Sequence, residues 1–185
     1  VISNKKKNNK VKFKNIGKLL NLKKTNKSIP ILIGGAKSFV QHGEQLFRSV
    51  GNSSPIFFSG SNALNNFFDL KIRTKNPKFL ILTGNEIKKV KVKLNAHILK
   101  QINLNGIISE ERFLPNYLRK ITKNIILADT VAENPLMLIG KLFLKIKVKK
   151  MHIAFFDGDI ENERAKIVFN ETQESINNLL KEKFE

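Results

Sequence analysis

The chain contains no cysteine, so disulfides and thiolate metal centres are excluded and no redox compartment can be inferred. It has no apolar run near the ~20 residues that a membrane-spanning helix requires. It also lacks an apolar signal-peptide core at its start, which makes a cytoplasmic location the expectation. The first residue is Val1 rather than Met, which points to a piece of something longer. Arginine, the side chain best suited to bidentate phosphate and base contacts, occurs only five times. Of the aromatic residues, 14 are Phe and one is Tyr, and most lie inside apolar runs rather than between basic residues. That argues against a specific nucleic-acid role, although a net charge of +19 favours nonspecific attraction to polyanions. The sequence holds no nucleophile elbow, catalytic-triad pattern or HExxH. His42, His97 and His152 are isolated and none has metal-ligand spacing with another, which argues against a zinc site.

What is present divides in two. Residues 1–27 carry ten lysines and no acid, so about half of the charge excess sits there. Residues 1–28 read as a basic lead-in or linker, with a short helix around Ile16–Leu22. Residues 29–185 read as one domain, long enough to bury a core. From Pro30 onward, short apolar runs recur at Ile31–Ile33, Ile56–Phe58, Phe79–Leu82, Ile125–Leu127 and His152–Phe156. Continuous apolar runs of this length suit strands buried on both faces, as in a parallel sheet.

Stretches with helical spacing lie between them. Val40, Leu46 and Phe47 mark a first crossover helix with Ser38 as a candidate N-cap. Residues 87–98 alternate apolar side chains with lysines and fit either a helix or an extended segment. Pro135–Leu144 reads as a helix with Asn134 as N-cap and proline at the first helical position. The stretch Asn162–Phe184 reads as a closing helix with Ile167, Val168, Ile176, Leu179 and Leu180 on one broad face. Strand and helix in alternation predict an α/β fold: a Rossmann-like, doubly wound, mostly parallel sheet with flanking helices.

In such sheets ligands bind beyond the carboxyl ends of the strands, near a reversal of strand order. Every predicted strand ends in small, polar or acidic residues. The first runs into Gly34-Gly35-Ala36-Lys37-Ser38, the second into Ser59-Gly60-Ser61-Asn62, and the third into Thr83-Gly84-Asn85-Glu86. The last two run into Asp129-Thr130 and Asp157-Gly158-Asp159. The first loop suits an anion, because glycine lets backbone N–H groups approach a phosphate and the next helix points its positive end there. It is neither a Walker A loop, since Ile31 and Ala36 occupy both glycine positions, nor GxGxxG, since Ala36 interrupts it. A tight strand-to-helix turn without a ligand accounts for the same residues. Asp157 and Asp159 are candidate ligands for a hard cation such as Mg²⁺, or acceptors for a sugar hydroxyl. Glu161 and Glu163 equally suit the N-terminus of the last helix through its dipole.

With these strand ends in order, the chain resembles the Rossmann-like C-terminal domain of 4-hydroxy-2-oxovalerate aldolase-like proteins of surface-polysaccharide gene clusters. More distantly it is similar to the 6-hydroxymethyl-dihydropterin pyrophosphokinase-like family and the motility accessory glycosyltransferases. The likeness rests on "IGGAKS", "FSGSNAL", "ILTGNE", "RFLPNYL", "NPLMLIGKLFL", "AFFDGD" and "FNETQESI", and covers roughly residues 29–180. The chain departs from the pattern at Ala36, at Phe155, where glycine is favoured, and at Lys147, where a helix-ending glycine is usual. Phe155 is expected to narrow the cleft beside Asp157.

The resemblance implies a nucleotide- or sugar-nucleotide-binding domain of carbohydrate biosynthesis, attached to an aldolase-like barrel that would hold any lyase chemistry. Gly34, Gly35, Lys37, Ser38 and Gly60 would surround a phosphate, and Asn62, Gly84 and Asn85 would lie against base or sugar. A second reading is a Mg²⁺-assisted glycosyl- or pyrophosphoryl-transferase with Asp157 and Glu86 as catalytic groups. A third is a docking module whose basic tail meets acidic partners or membrane surfaces.

Overall fold

The computed structural model describes residues 28–84, 96–110, 117–118, 122, 124–128, 132, 134–148, 150–157 and 163–182. Six strands form one sheet in the order β5-β4-β3-β2-β1-β6. They are β1 (Ile31–Ile33), β2 (Ile56–Ser59), β3 (Lys78–Leu82), β4 (Gly106–Glu110), β5 (Ile125–Ala128) and β6 (His152–Ala154). The helices are α1 (Lys37–Ser49), α2 (Gly60–Asp69), α3 (Ala96–Ile102), α4 (Pro135–Lys145) and α5 (Glu163–Lys181). Every pairing is parallel. The expected α/β doubly wound sheet is therefore present, and it is wholly rather than mostly parallel among the described strands.

Alternation along the strands divides the core between two faces. Ile31, Ile33, Ile56, Phe58, Leu80, Leu82 and Ile107 share one cluster with Phe39 of α1, Leu64 and Phe67 of α2, and Leu99 of α3. Leu32, Phe57, Phe79, Ile81 and Ile108 share the other with Leu138, Ile139 and Phe143 of α4 and Leu179 of α5. Phe57 carries much of the second face, stacking on Phe79 at 5.1 Å and meeting Phe143 edge-on at 5.2 Å. Burying each such ring is worth about 2–3 kcal/mol.

The strand count differs from the sequence reading by β4. "GIISE" holds only two large apolar residues, yet all five positions are buried because β4 lies between β3 and β5. Three smaller expectations are also corrected. Val40 is exposed, and α1 instead buries Phe39 and Gly43. On α5, Leu179 is buried, whereas Ile167 and Leu180 are more than half exposed, because polar Thr172 and Ser175 share the buried face. The last strand stops at Ala154, where Phe155 turns left-handed.

The prediction for α4 holds. Asn134 caps it by accepting from the Met137 N–H (2.9 Å), and its Nδ2 donates to Ser175 of α5 (2.8 Å). Pro135 stands at the first turn, where its missing N–H costs nothing. The helix ends in a Schellman motif: Val148 N–H donates to Phe143 O and Lys147 N–H to Leu144 O, with Lys147 at φ 62°. Among the described residues, no helix is long and apolar enough to cross a membrane. The lead-in 1–27 and most of 87–98 lie outside the described residues.

Candidate functional site

From β1 to β5 the chain steps in one direction across the sheet, then returns to place β6 on the other side of β1. The reversal of strand order falls between β1 and β6, and the helices that follow them leave toward opposite faces. In open parallel sheets such a reversal sets a crevice at the carboxyl ends of the two strands, and this is where ligands are received.

The two strand ends are joined across that crevice. Gly34 N–H donates to Ala154 O (2.8 Å), and Ala36 N–H donates to Phe155 O (3.2 Å). The Ser38 hydroxyl donates to Asp157 Oδ1 at 2.5 Å. Ser38 is thus not the N-cap of α1. That position belongs to Ala36, which makes no side-chain capping bond, and the Ser38 hydroxyl is turned to Asp157 instead. Neither α1 nor α2 has an acidic residue in its first turn or a side-chain cap. Asp157, exposed and tied to Ser38, places a carboxylate beside the positive end of α1, where negative charge is stabilised.

Packing alone demands both glycines of the first loop. A Cβ on Gly34 would stand 2.1 Å from Phe155 O, and one on Gly35 would stand 2.6 Å from the Asn62 Cβ. Gly34 is buried, whereas Gly35 is exposed and its carbonyl accepts a long bond from Asn66 Nδ2 (3.5 Å). Gly60 opens α2 at φ 81°, a conformation that any side chain would strain.

Seven of the expected residues therefore gather about the end of β1: Gly34, Gly35, Lys37, Ser38, Gly60, Asn62 and Asp157. Lys37 is exposed at the first position of α1, and Asn62 is exposed in the first turn of α2. Gly84 follows β3, two strands from β1, which is roughly 10 Å away at ordinary strand spacing. Asn85, Glu86 and Asp159 lie outside the described residues, as do Asp129 and Thr130. Among the described residues, no group of three His, Asp or Glu side chains is placed to hold a metal ion.

Two features of the site were not foreseen. Glu110, at the end of β4, is 3% exposed, and its Oε1 accepts from the Ala132 N–H (3.1 Å). Its place after "GIIS" would have marked it, had β4 been recognised. Phe155 has φ 61°. Its ring stacks on Phe39 at 4.9 Å with the planes 7° apart, so it joins the core as well as flanking the crevice.

A shallow depression of about 320 Å³, lined by Val40, Gln41, Glu44, Gln45, Arg48 and Leu70, lies on the outer side of α1 and includes none of these residues. Comparisons with protein-family models, with curated proteins and with solved structures return no match to this chain.

Proposed function

We propose that the crevice between β1 and β6 binds a nucleotide or sugar nucleotide, and that the domain serves carbohydrate biosynthesis as the C-terminal part of an aldolase-like enzyme. The observation that carries this reading is the Ser38–Asp157 pair at the reversal of strand order. Two helix N-termini without side-chain caps open at the same end of the sheet and suit a phosphate. Among the described residues, Asp157 accepts one bond, from Ser38, which leaves lone pairs for sugar hydroxyls. A phosphate near this carboxylate calls for a compensating cation, for which exposed Lys37 is suitably placed.

The backbone supports the resemblance on which the ligand class rests. Both positions where that group favours glycine, 155 and 147, are left-handed here at φ 61° and 62°. The chain keeps the backbone shape that glycine serves, with different side chains.

Calorimetric titration with nucleoside mono- and diphosphates and with their sugar conjugates tests the reading. A saturable response that weakens in Asp157→Asn is the expected result. No heat from any of them at millimolar concentration would overturn it.

A further inference from the structure

The opposite end of the sheet, where strands begin and helices finish, carries an excess of cations. Lys71, Arg73, Lys75, Lys100, Lys147 and Lys181 are exposed there. None of the six makes a side-chain hydrogen bond or ion pair among the described residues. Asp69 and Glu182 are the acids that end helices at that side. At the crevice end, among the described residues, exposed Asp157 and Glu163 stand with Lys37 and Lys166.

Helix dipoles account for Lys100 and Lys181, which stand in or at the end of a last turn. They do not account for Lys71 and Lys147. Each of these follows a helix C-cap in the left-handed conformation, at φ 51° and 62°. Glycine is the unstrained residue there, and a side chain costs about 1 kcal/mol. At two separate helix ends on the same side of the molecule the chain therefore holds a lysine against its backbone preference.

We infer that this end of the domain is a docking surface for an anionic lipid membrane. The cations form a field rather than a stripe. Four of them lie at or just past the ends of helices on both faces of the sheet: Lys71 after α2, Lys100 in α3, Lys147 after α4 and Lys181 in α5. An array spread over both faces of the sheet matches a broad charged surface better than the narrow track of a duplex backbone. Five of the six are lysines, which act as point charges and do not read bases. No exposed Phe or Tyr for base stacking lies at this end among the described residues. Each lysine near an anionic bilayer adds roughly fivefold to partitioning, and salt screens the attraction.

The test uses the full chain in co-sedimentation with vesicles of phosphatidylcholine alone, or of phosphatidylcholine mixed with phosphatidylglycerol. Binding is expected only to the mixed vesicles, and to fall steeply between about 0.1 M and about 0.5 M salt. The double variant Lys71→Gly/Lys147→Gly should partition roughly tenfold to thirtyfold less. Its melting midpoint should meanwhile rise by about 4–8 °C through relief of strain at both positions. Loss of binding with a gain in stability is a pairing that a purely structural role for these lysines does not produce. Lys75→Gln/Lys100→Gln, which touches no left-handed residue, should lower partitioning in the same direction. Equal binding to neutral vesicles, unchanged partitioning in both variants, or tighter binding to a short duplex DNA at matched phosphate and salt would each overturn the inference.

Discussion

The Oγ of Ser38 lies 2.5 Å from Oδ1 of Asp157, a bond between residues 119 positions apart that links the first turn of α1 to the segment after β6. If a sugar hydroxyl shares this carboxylate, Ser38→Ala removes one competing donor and one fixed orientation at once. The expected outcome is a loss of nucleotide or sugar-nucleotide affinity by about tenfold, with a stability loss of about 1 kcal/mol or less, because the pair is exposed. Isothermal titration and urea unfolding on the same preparation separate the two effects.

Phe155 sets two effects against each other. Its left-handed backbone costs about 1–2 kcal/mol, while its ring contributes burial and a stack on Phe39. Ring loss dominates, so both Phe155→Ala and Phe155→Gly destabilise. Only glycine relieves the backbone. Phe155→Gly should therefore be the milder of the two by about 1 kcal/mol, the reverse of the usual order in regular structure. Urea denaturation of the two variants decides it, and an alanine variant more stable than the glycine one would count against the strain.

Asn76 is 1% exposed and holds the loop before β2 to the loop before β3. Its Nδ2 donates to Gly51 O (2.7 Å) and Ser54 O (2.8 Å), and its Oδ1 accepts from Thr74 Oγ1. Asn76→Ala leaves these carbonyls without their donor, for an expected loss of about 2–3 kcal/mol in the urea-unfolding free energy. Ligand binding at the far end of the sheet should be unchanged.

Alkaline pH offers a test with a defined sign. Lys78 Nζ donates to Thr74 O (3.2 Å) and Asn76 O (3.1 Å), and burial lowers its pKa below the usual 10.5. Between the lowered folded pKa and the unfolded one, the unfolded chain binds more protons, so stability rises with pH through that window. Burial raises the pKa of Tyr117 above the usual 10.0. The folded chain then keeps a proton that the unfolded chain sheds, and stability falls as pH climbs past that value. In Lys78→Met the rise should vanish and the fall remain, as followed by urea midpoints from about pH 8 upward.

Five of the six strands were legible because apolar runs closed by turn residues are a local signal. The fold class followed from their alternation with helices. β4 was not legible, because Gly106, Ser109 and Glu110 owe their burial to neighbouring strands and not to their own polarity. The site divides along the same line. That Ser38 and Asp157 both stand at strand ends could be read from residue order. That Ser38 turns its hydroxyl to Asp157 rather than capping α1 depends on the β1–β6 pairing, which no local pattern encodes. The place of the glycine pair between a strand and a helix suits either a phosphate or a tight turn, whereas the close approach of Phe155 O and Asn62 emerges only in three dimensions.

The placement of β6 beside β1 also has a consequence for incomplete chains. The partner of the first strand across the crevice is β6, the last in sequence of the described strands. A chain interrupted anywhere before His152 would keep the glycine loop and lack its carboxylate. If the crevice takes the proposed ligand, binding there would report that β6 has closed on β1, and so would distinguish complete chains from interrupted ones.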